Sequence, residues 1–412
     1  MSRKTVLLGR IIDSVQDEAI ENGAVAVEDE RIVYAGPREG APAWEDAEVF
    51  TCADATIMAG FIDAHAHLTG AESVHRSGDT PYDLLLTAVR DLSDLVDAGV
   101  TGVRDMSAFG RALRDAIAKG NIKGPRIMVG GRVLSISSGH CDFDVTKPVA
   151  WCNEEDLTGY MMDGPEDCYK GVRRQFREGA EFIKICATGG VSSAVDDVND
   201  QEFSEEELKV IIGEAKRHNT YVTAHCTGTA GTKAALKAGI GCVEHGVMLD
   251  EECCRIMKER NIPLVTTLSV ALGLSDMKDL PPHIMRKAQG VKEAAMRSFR
   301  LAHEYGITVA LGTDYSNSPN TPYSEIGREF YSLTRCGYTP MEAIQAGTVN
   351  GAKLMRRDHE IGTVEAGKLA DLVLVQGNPL EDIRILAHAD SVQMVLIGGK
   401  IQKKADGVLH GI

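Results

Sequence analysis

The chain lacks several features, and each absence narrows what it can be. Among its 412 residues no apolar stretch is long enough to span a bilayer, which removes a helical membrane protein from consideration. The opening segment, "MSRKTVLLGRIIDSVQDEAI", carries charges on both sides of a short apolar run and does not read as a secretory signal. Basic charge is in deficit: 44 Lys and Arg stand against 60 Asp and Glu, a formal net charge of −16. So acidic a surface repels a phosphate backbone, so nucleic acid is not an expected partner. There are ten cysteines but no CxxC pair and no regular spacing, the pattern of reduced thiols in a cytoplasmic protein. The adjacent Cys253 and Cys254 read as helix residues rather than a redox site.

What remains is a soluble globular composition, 43% hydrophobic and 25% charged, long enough for one large domain and a smaller one. Both ends are rich in short β-branched segments between turn residues: "TVLLGRII", "GAVAVED" and "RIVYAG" near the start, "GKLADLVLVQGNP" and "SVQMVLIGGKIQKK" near the finish. This predicts one composite β domain, a small β-sandwich, from residues 1–59 and 363–412. Between them, 60–362 alternates apolar strands with amphipathic helices. The strand segments are "GFIDAHAH", "VTGVRDM" (100–106), "RIMVGGRVLSI" (126–136), "FIKICAT" (182–188), "YVTAHC" (221–226), "CVEHGV" (242–247), "PLVTTLSV" (263–270) and "ITVALGTDY" (307–315). Several helices stop at a glycine just before the next strand, in "DAGV", "KAGI" and "EYGI". Eight such units predict an α/β fold, a (β/α)8 TIM barrel. A doubly wound sheet would instead place a glycine-rich phosphate loop after the first strand, and "FIDAHAH" is not one.

A barrel of this kind carries its chemistry at the C-terminal ends of the strands. Those ends supply His65 and His67 on the first, Lys184 on the fourth, His225 on the fifth, His245 on the sixth and Asp314 on the eighth. Four imidazoles and a carboxylate converging on one mouth are a ligand set for zinc or a similar divalent ion. Taken singly, each has an ordinary reading: a strand histidine is often structural, and Asp314 in "GTDY" can cap a turn. Lys184 is the unusual residue, because a charged lysine is costly inside an apolar strand. Either it snorkels or pairs with an acid, or it is neutral and modified; a neutral amine reacts with carbon dioxide to form a carbamate able to bridge two cations.

At these residues the chain resembles the amidohydrolase superfamily, and within it the prolidase-like branch of metal-dependent dipeptidases, carboxypeptidases and ochratoxin-type amidases. "GFIDAHAHL" resembles the HxH motif, "REGAEFIKICATGGV" the segment with the carboxylated lysine, and "VTAHC" and "VEHG" the next two histidine motifs. "ALGTD" resembles the eighth-strand aspartate, and "IGTVEAGKLADLVLVQGNPLEDI" the return into the β domain. The resemblance implies two divalent metal ions, zinc by preference. His65, His67 and Asp314 would hold one, His225 and His245 the other, and Lys184 as N6-carboxylysine would bridge them. It implies hydrolysis of an amide C–N bond in a dipeptide or N-acyl amino acid, with Asp314 moving protons and His140, in "SGH", acting on the substrate. Thr227 and Tyr315 are the further substrate-binding positions it suggests, although dipeptide-cleaving relatives are expected to carry a tyrosine where Thr227 stands. The expected partners are a small-molecule substrate and further copies of the chain in a homo-oligomer. Residues 141–164 form a long connection in which Trp151 and Tyr160 either cover a substrate or pack on the barrel. A non-peptide or cyclic amide, a carbamate, deamination, and a non-catalytic binding role are the alternatives; Lys184 weighs against deamination and the full ligand set against the last.

Overall fold

The structure, a computed structural model, describes residues 2–70, 79–274, 277 and 280–410. Eight parallel barrel strands run Phe61–Ala66, Val100–Asp105, Arg126–Val129, Ile183–Cys186, Val222–Cys226, Cys242–His245, Leu264–Val265 and Val309–Ala310. The ring is closed by isolated hydrogen bonds where regular pairing ends. Ala64 N donates to Leu311 O at 2.8 Å across the eighth and first strands, and Glu181 N to Val129 O at 2.6 Å across the third and fourth.

Helices start and stop where the sequence signals them. Pro81–Asp97 begins with a reciprocal capping box between Thr80 and Asp83 and buries Ala88, Leu92, Leu95 and Val96; such a cap contributes about 1 kcal/mol. The three glycines of "DAGV", "KAGI" and "EYGI", Gly99, Gly239 and Gly306, all have positive φ, at 91°, 101° and 62°. Among the described residues no helix is long and apolar enough to cross a membrane.

Three strands are shorter than predicted, each for a backbone reason. The segment 126–136 breaks at Gly130 and Gly131: Arg126–Val129 pairs with the second strand, whereas Val133–Ser135 pairs with the fourth and with Gly159–Met161. Gly131 has φ +69°, and a Cβ on Gly130 would lie 2.6 Å from the Phe182 ring, so only glycines permit this turn. The seventh strand ends before Thr267, at φ +88°, and the chain turns into the helix Leu268–Gly273. The eighth ends well before Asp314, at φ +58°.

The two termini build one hydrogen-bonded sheet of nine strands, rather than two separate sheets. Its first strand, Lys4–Ile12, forks: Thr5–Leu7 pairs with Glu48–Phe50, and Arg10–Ile12 with Thr56–Met58. Side chains alternate with period two. Ile57, Ala59, Leu372 and Leu374 enter the sheet's own core, while Met58, Val373 and Val375 join the core shared with the barrel. Arg126 clamps the two bodies by a bidentate pair to Asp371, at 2.6 and 2.9 Å.

The connection 141–164 has structure of its own, a helix at Val149–Glu155 and the strand Gly159–Met161. Tyr160 lies beneath the guanidinium groups of Arg132 and Arg174, 5.0 and 5.1 Å from its ring centroid, so it packs the segment on the barrel wall. Trp151 is exposed.

Candidate active site

The predicted strand-end residues meet at the mouth of the barrel. His65 and His67 are two apart, so strand alternation turns both the same way. Their Nε2 atoms lie 3.5 and 3.3 Å from Asp314 Oδ1. Glu244 and His245 are adjacent and alternation would send them to opposite faces. At His245, however, φ is +68°, the alternation ends, and its ring centroid comes to 4.7 Å from that of His65 and 4.4 Å from that of His225. Left-handed backbone at non-glycine residues costs about 1–3 kcal/mol each and gathers at functional sites; here it falls on His245, Thr267 and Asp314.

Each imidazole has one nitrogen occupied from behind. His65 Nδ1 meets Glu244 Oε2 at 2.8 Å, His67 Nδ1 meets the Met106 carbonyl at 2.9 Å, and His245 Nδ1 meets Thr267 Oγ1 at 2.8 Å. For His225 it is Nε2 that meets Thr227 Oγ1, at 2.9 Å, leaving Nδ1. These partners fix the rings and leave one lone pair on each, the arrangement that suits metal-binding histidines. His65, His245 and Asp314 each offer a ligand atom, all within 4.8 Å of one another. Burial, and after it the charge of Lys184 or of a neighbouring imidazole, holds His65, His225 and His245 well below the ordinary imidazole range, so they are neutral and available. Burial pushes the Asp314 carboxyl up, but the hydrogen bond from His67 and the charge of Lys184 hold it down. The donor set therefore fits divalent cations: imidazoles, three of them neutral, and an ionised carboxylate.

Lys184 is buried, and its Nζ has the Met106 sulfur at 3.6 Å. A thioether is a weak acceptor and brings no negative charge. His140 joins the cluster from the connection after the third strand, its ring 4.4 Å from that of His225. Its backbone N–H donates to Glu202 at 2.7 Å, and its Nδ1 meets Asp196 at 3.1 Å. The two remaining predicted positions are buried. The Thr227 hydroxyl meets His225 Nε2, and the residue is 2% exposed. Tyr315, also 2% exposed, packs into the main apolar core, because the turn at Asp314 directs the next side chain inward.

The profile of the amidohydrolase family matches residues 56–402. The chain is 31% identical to the ochratoxinase of Aspergillus niger, covering 98% of this chain and 87% of that protein. A prolidase crystallised with N-methylphosphonate-L-proline superposes with a TM-score of 0.89 at 28% identity, over 97% of this chain and 100% of that one. A Xaa-Pro dipeptidase with bound methionine gives 0.86 at 28% identity, over 97% and 99%. The chain belongs to the amidohydrolase family. It stands in the prolidase-like branch and is an enzyme acting on amide C–N bonds.

The sequence reading of this amidohydrolase missed the residues behind the ligands. Glu244, fully buried, takes hydrogen bonds from His65, from Thr223, and from Arg104 at 2.7 Å. Asp63 accepts from the His65 N–H and from Thr313, and burial pushes its carboxyl up to about 7. Asp105 accepts from Leu68 N and Ser107, and burial pushes it up to about 6. Glu329 caps Thr267, Leu268 and Ser269 and so secures the hydroxyl that meets His245. The signal was present for Glu244 and Asp63, an acid inside an apolar strand next to a ligand; Asp105 and Glu329 had none.

Proposed function

We propose that the chain is a binuclear metal-dependent hydrolase of dipeptides or N-acyl amino acids. The observation that carries the proposal is the gathering of His65, His67, His225 and His245, each tied by one nitrogen, with Asp314 around a buried lysine whose hydrogen bond among the described residues goes to the Met106 sulfur. In this reading His65, His67 and Asp314 hold one divalent ion, zinc by preference, and His225 and His245 hold the other. Lys184, as N6-carboxylysine, would supply anionic oxygen ligands to them: its neutral amine would form an N–C bond to carbon dioxide and release a proton. A permanent ammonium there would repel both dications, whereas a carbamate attracts them. The chemistry such ions would supply there is Lewis acidity, to lower the pKa of a water and polarise an amide carbonyl. Asp314 takes the water's proton on its carboxylate and passes it to the leaving nitrogen. His140 hydrogen-bonds the substrate through Nε2, and the carboxyl-rich layer behind the histidines keeps their lone pairs in place. The barrel at 60–362, the composite β domain at 1–59 and 363–412, a cytoplasmic setting and a homo-oligomeric state belong to the same proposal.

A second reading, a non-peptide amide or carbamate as substrate, is favoured by one observation. Thr227 stands where the resemblance leads one to expect a tyrosine, and its hydroxyl is engaged by His225. The experiment is a screen of dipeptides, N-acyl amino acids and aryl amides with zinc-loaded protein, alongside elemental analysis. Turnover of a dipeptide or N-acyl amino acid, with close to two ions per chain, is expected. Aryl-amide turnover alone would select the second reading, and metal-free protein not activated by zinc, cobalt or manganese would remove both.

A further inference from the structure

His140 is gripped from three sides, by the end of the fifth strand and by two points of the connection after the fourth. Its ring lies against His225 on one face, 4.4 Å between centroids and 34° between planes. On another side is Gly190, where a Cβ would stand 2.3 Å from the imidazole Cε1, so the bare backbone packs on the ring. What remains is the direction of the two nitrogens, and that is set by Asp196. Its Oδ2 meets His140 Nδ1 at 3.1 Å and also accepts the Gly190 N–H at 2.8 Å. Its Oδ1 meets Lys287 Nζ at 2.5 Å. The same ammonium donates to the carbonyls of Gly190 and Ser193, both at 2.9 Å. Three acceptors match the three N–H bonds of an ammonium, so Lys287 has none left for a substrate carboxylate. Asp196 and Lys287 are largely buried, at 2% and 12% side-chain exposure.

We propose that Asp196 and Lys287 are positioning residues for His140: they hold its Nδ1–H on a carboxylate and turn Nε2 toward the substrate. The inference rests on the reading of His140 as the group that meets substrate. A carboxylate is an acceptor only, so the nitrogen facing it carries a proton, and the partner nitrogen, Nε2, is the one left for the cleft. Ser192 Oγ lies 3.3 Å from that Nε2. Lys287 is the last residue of the short helix Pro282–Lys287, between the seventh and eighth strands. Asp196 follows the fourth strand and His140 the third, so one buried relay ties three connections of the mouth to a single imidazole. A salt bridge serving only to pin loops would not need its second carboxylate oxygen on a histidine ring.

The test uses Asp196→Asn and Lys287→Met in the full chain. Histidine tautomers are read by long-range ¹H–¹⁵N NMR on metal-free protein, with His140 assigned from the spectrum of His140→Gln; kcat, KM and bound metal are read on the zinc-loaded protein. The wild type is expected to show His140 in one tautomer, with the proton on Nδ1. In both variants that signal moves toward a mixture, and kcat falls about 10–100-fold, with KM within about threefold and metal content retained, as for loss of a group supporting a functional histidine. A wild-type His140 with its proton on Nε2, or variants with an unchanged tautomer, would overturn the proposal. So would a fall in kcat matched by loss of metal or of folded protein. If one variant fails to fold, the other carries the same readouts. Full activity in His140→Gln would remove the underlying reading of His140, and the tautomer result would still decide whether Asp196 and Lys287 set the ring.

Discussion

Replacing Glu244 by Gln changes one atom and two charges' worth of surroundings. In the native chain Oε2 faces His65 Nδ1 at 2.8 Å, while Oε1 faces Arg104 at 2.7 Å and also the Thr223 hydroxyl. Every neighbour of this carboxylate is a donor. A glutamine must turn its NH2 toward one of them. In either orientation the neutral amide leaves a fully buried guanidinium without its counter-charge, a loss of the order of 3–5 kcal/mol in stability. Facing His65, it forces the proton from Nδ1 to Nε2 and removes the lone pair aimed at Asp314. Either way the ion held by His65, His67 and Asp314 is expected to bind about 10–100-fold more weakly. Competition against a fluorescent zinc chelator measures that affinity, and denaturant unfolding of the metal-free protein measures the stability. A variant that matched the wild type in both would show that Glu244 is only core filling and that the histidine needs no support.

Lys184→Ala should lose one of two ions and most activity, with short carboxylic acids restoring part of both; full metal content in this variant would refute the bridging role. Asp314→Asn should fold, because asparagine tolerates the positive φ found there, but lose about 10²–10⁴-fold in kcat; near-normal turnover would leave Asp314 a structural cap. Glu202 gives a prediction in pH. Burial pushes its carboxyl up to about 8 from 4.5. Between these values the native state binds a proton that the unfolded chain has released, so stability falls as pH rises through the window, by at most about 1.4 kcal/mol per unit. Glu202→Gln should flatten that decline, and denaturant midpoints at pH 5 and pH 8 that differ equally in wild type and variant would count against it.

How far the sequence could be read depends on the kind of signal. Periodicity and glycine stops are local, so the eight strands, their helices and the three left-handed glycines were legible. Strand lengths were not: the seventh and eighth strands stop at Val265 and Ala310, ahead of the positive-φ residues Thr267 and Asp314. The burial of Tyr315 and Thr227 was not legible either. The backbone turn at Asp314 buries the first, and the His225 ring claims the hydroxyl of the second.

The sequence by itself determined the eightfold barrel, the pairing of its termini and the identity of His65, His67, Lys184, His225, His245 and Asp314 as strand-end residues. These follow from spacing along one chain. Only the tertiary structure decided which atoms face one another. Glu244 meets Arg104 at a separation of 140 residues, and Asp196 meets Lys287 at 91. Such pairs arise when barrel closure buries polar groups together, and a buried charge must then find a partner wherever the fold brings one.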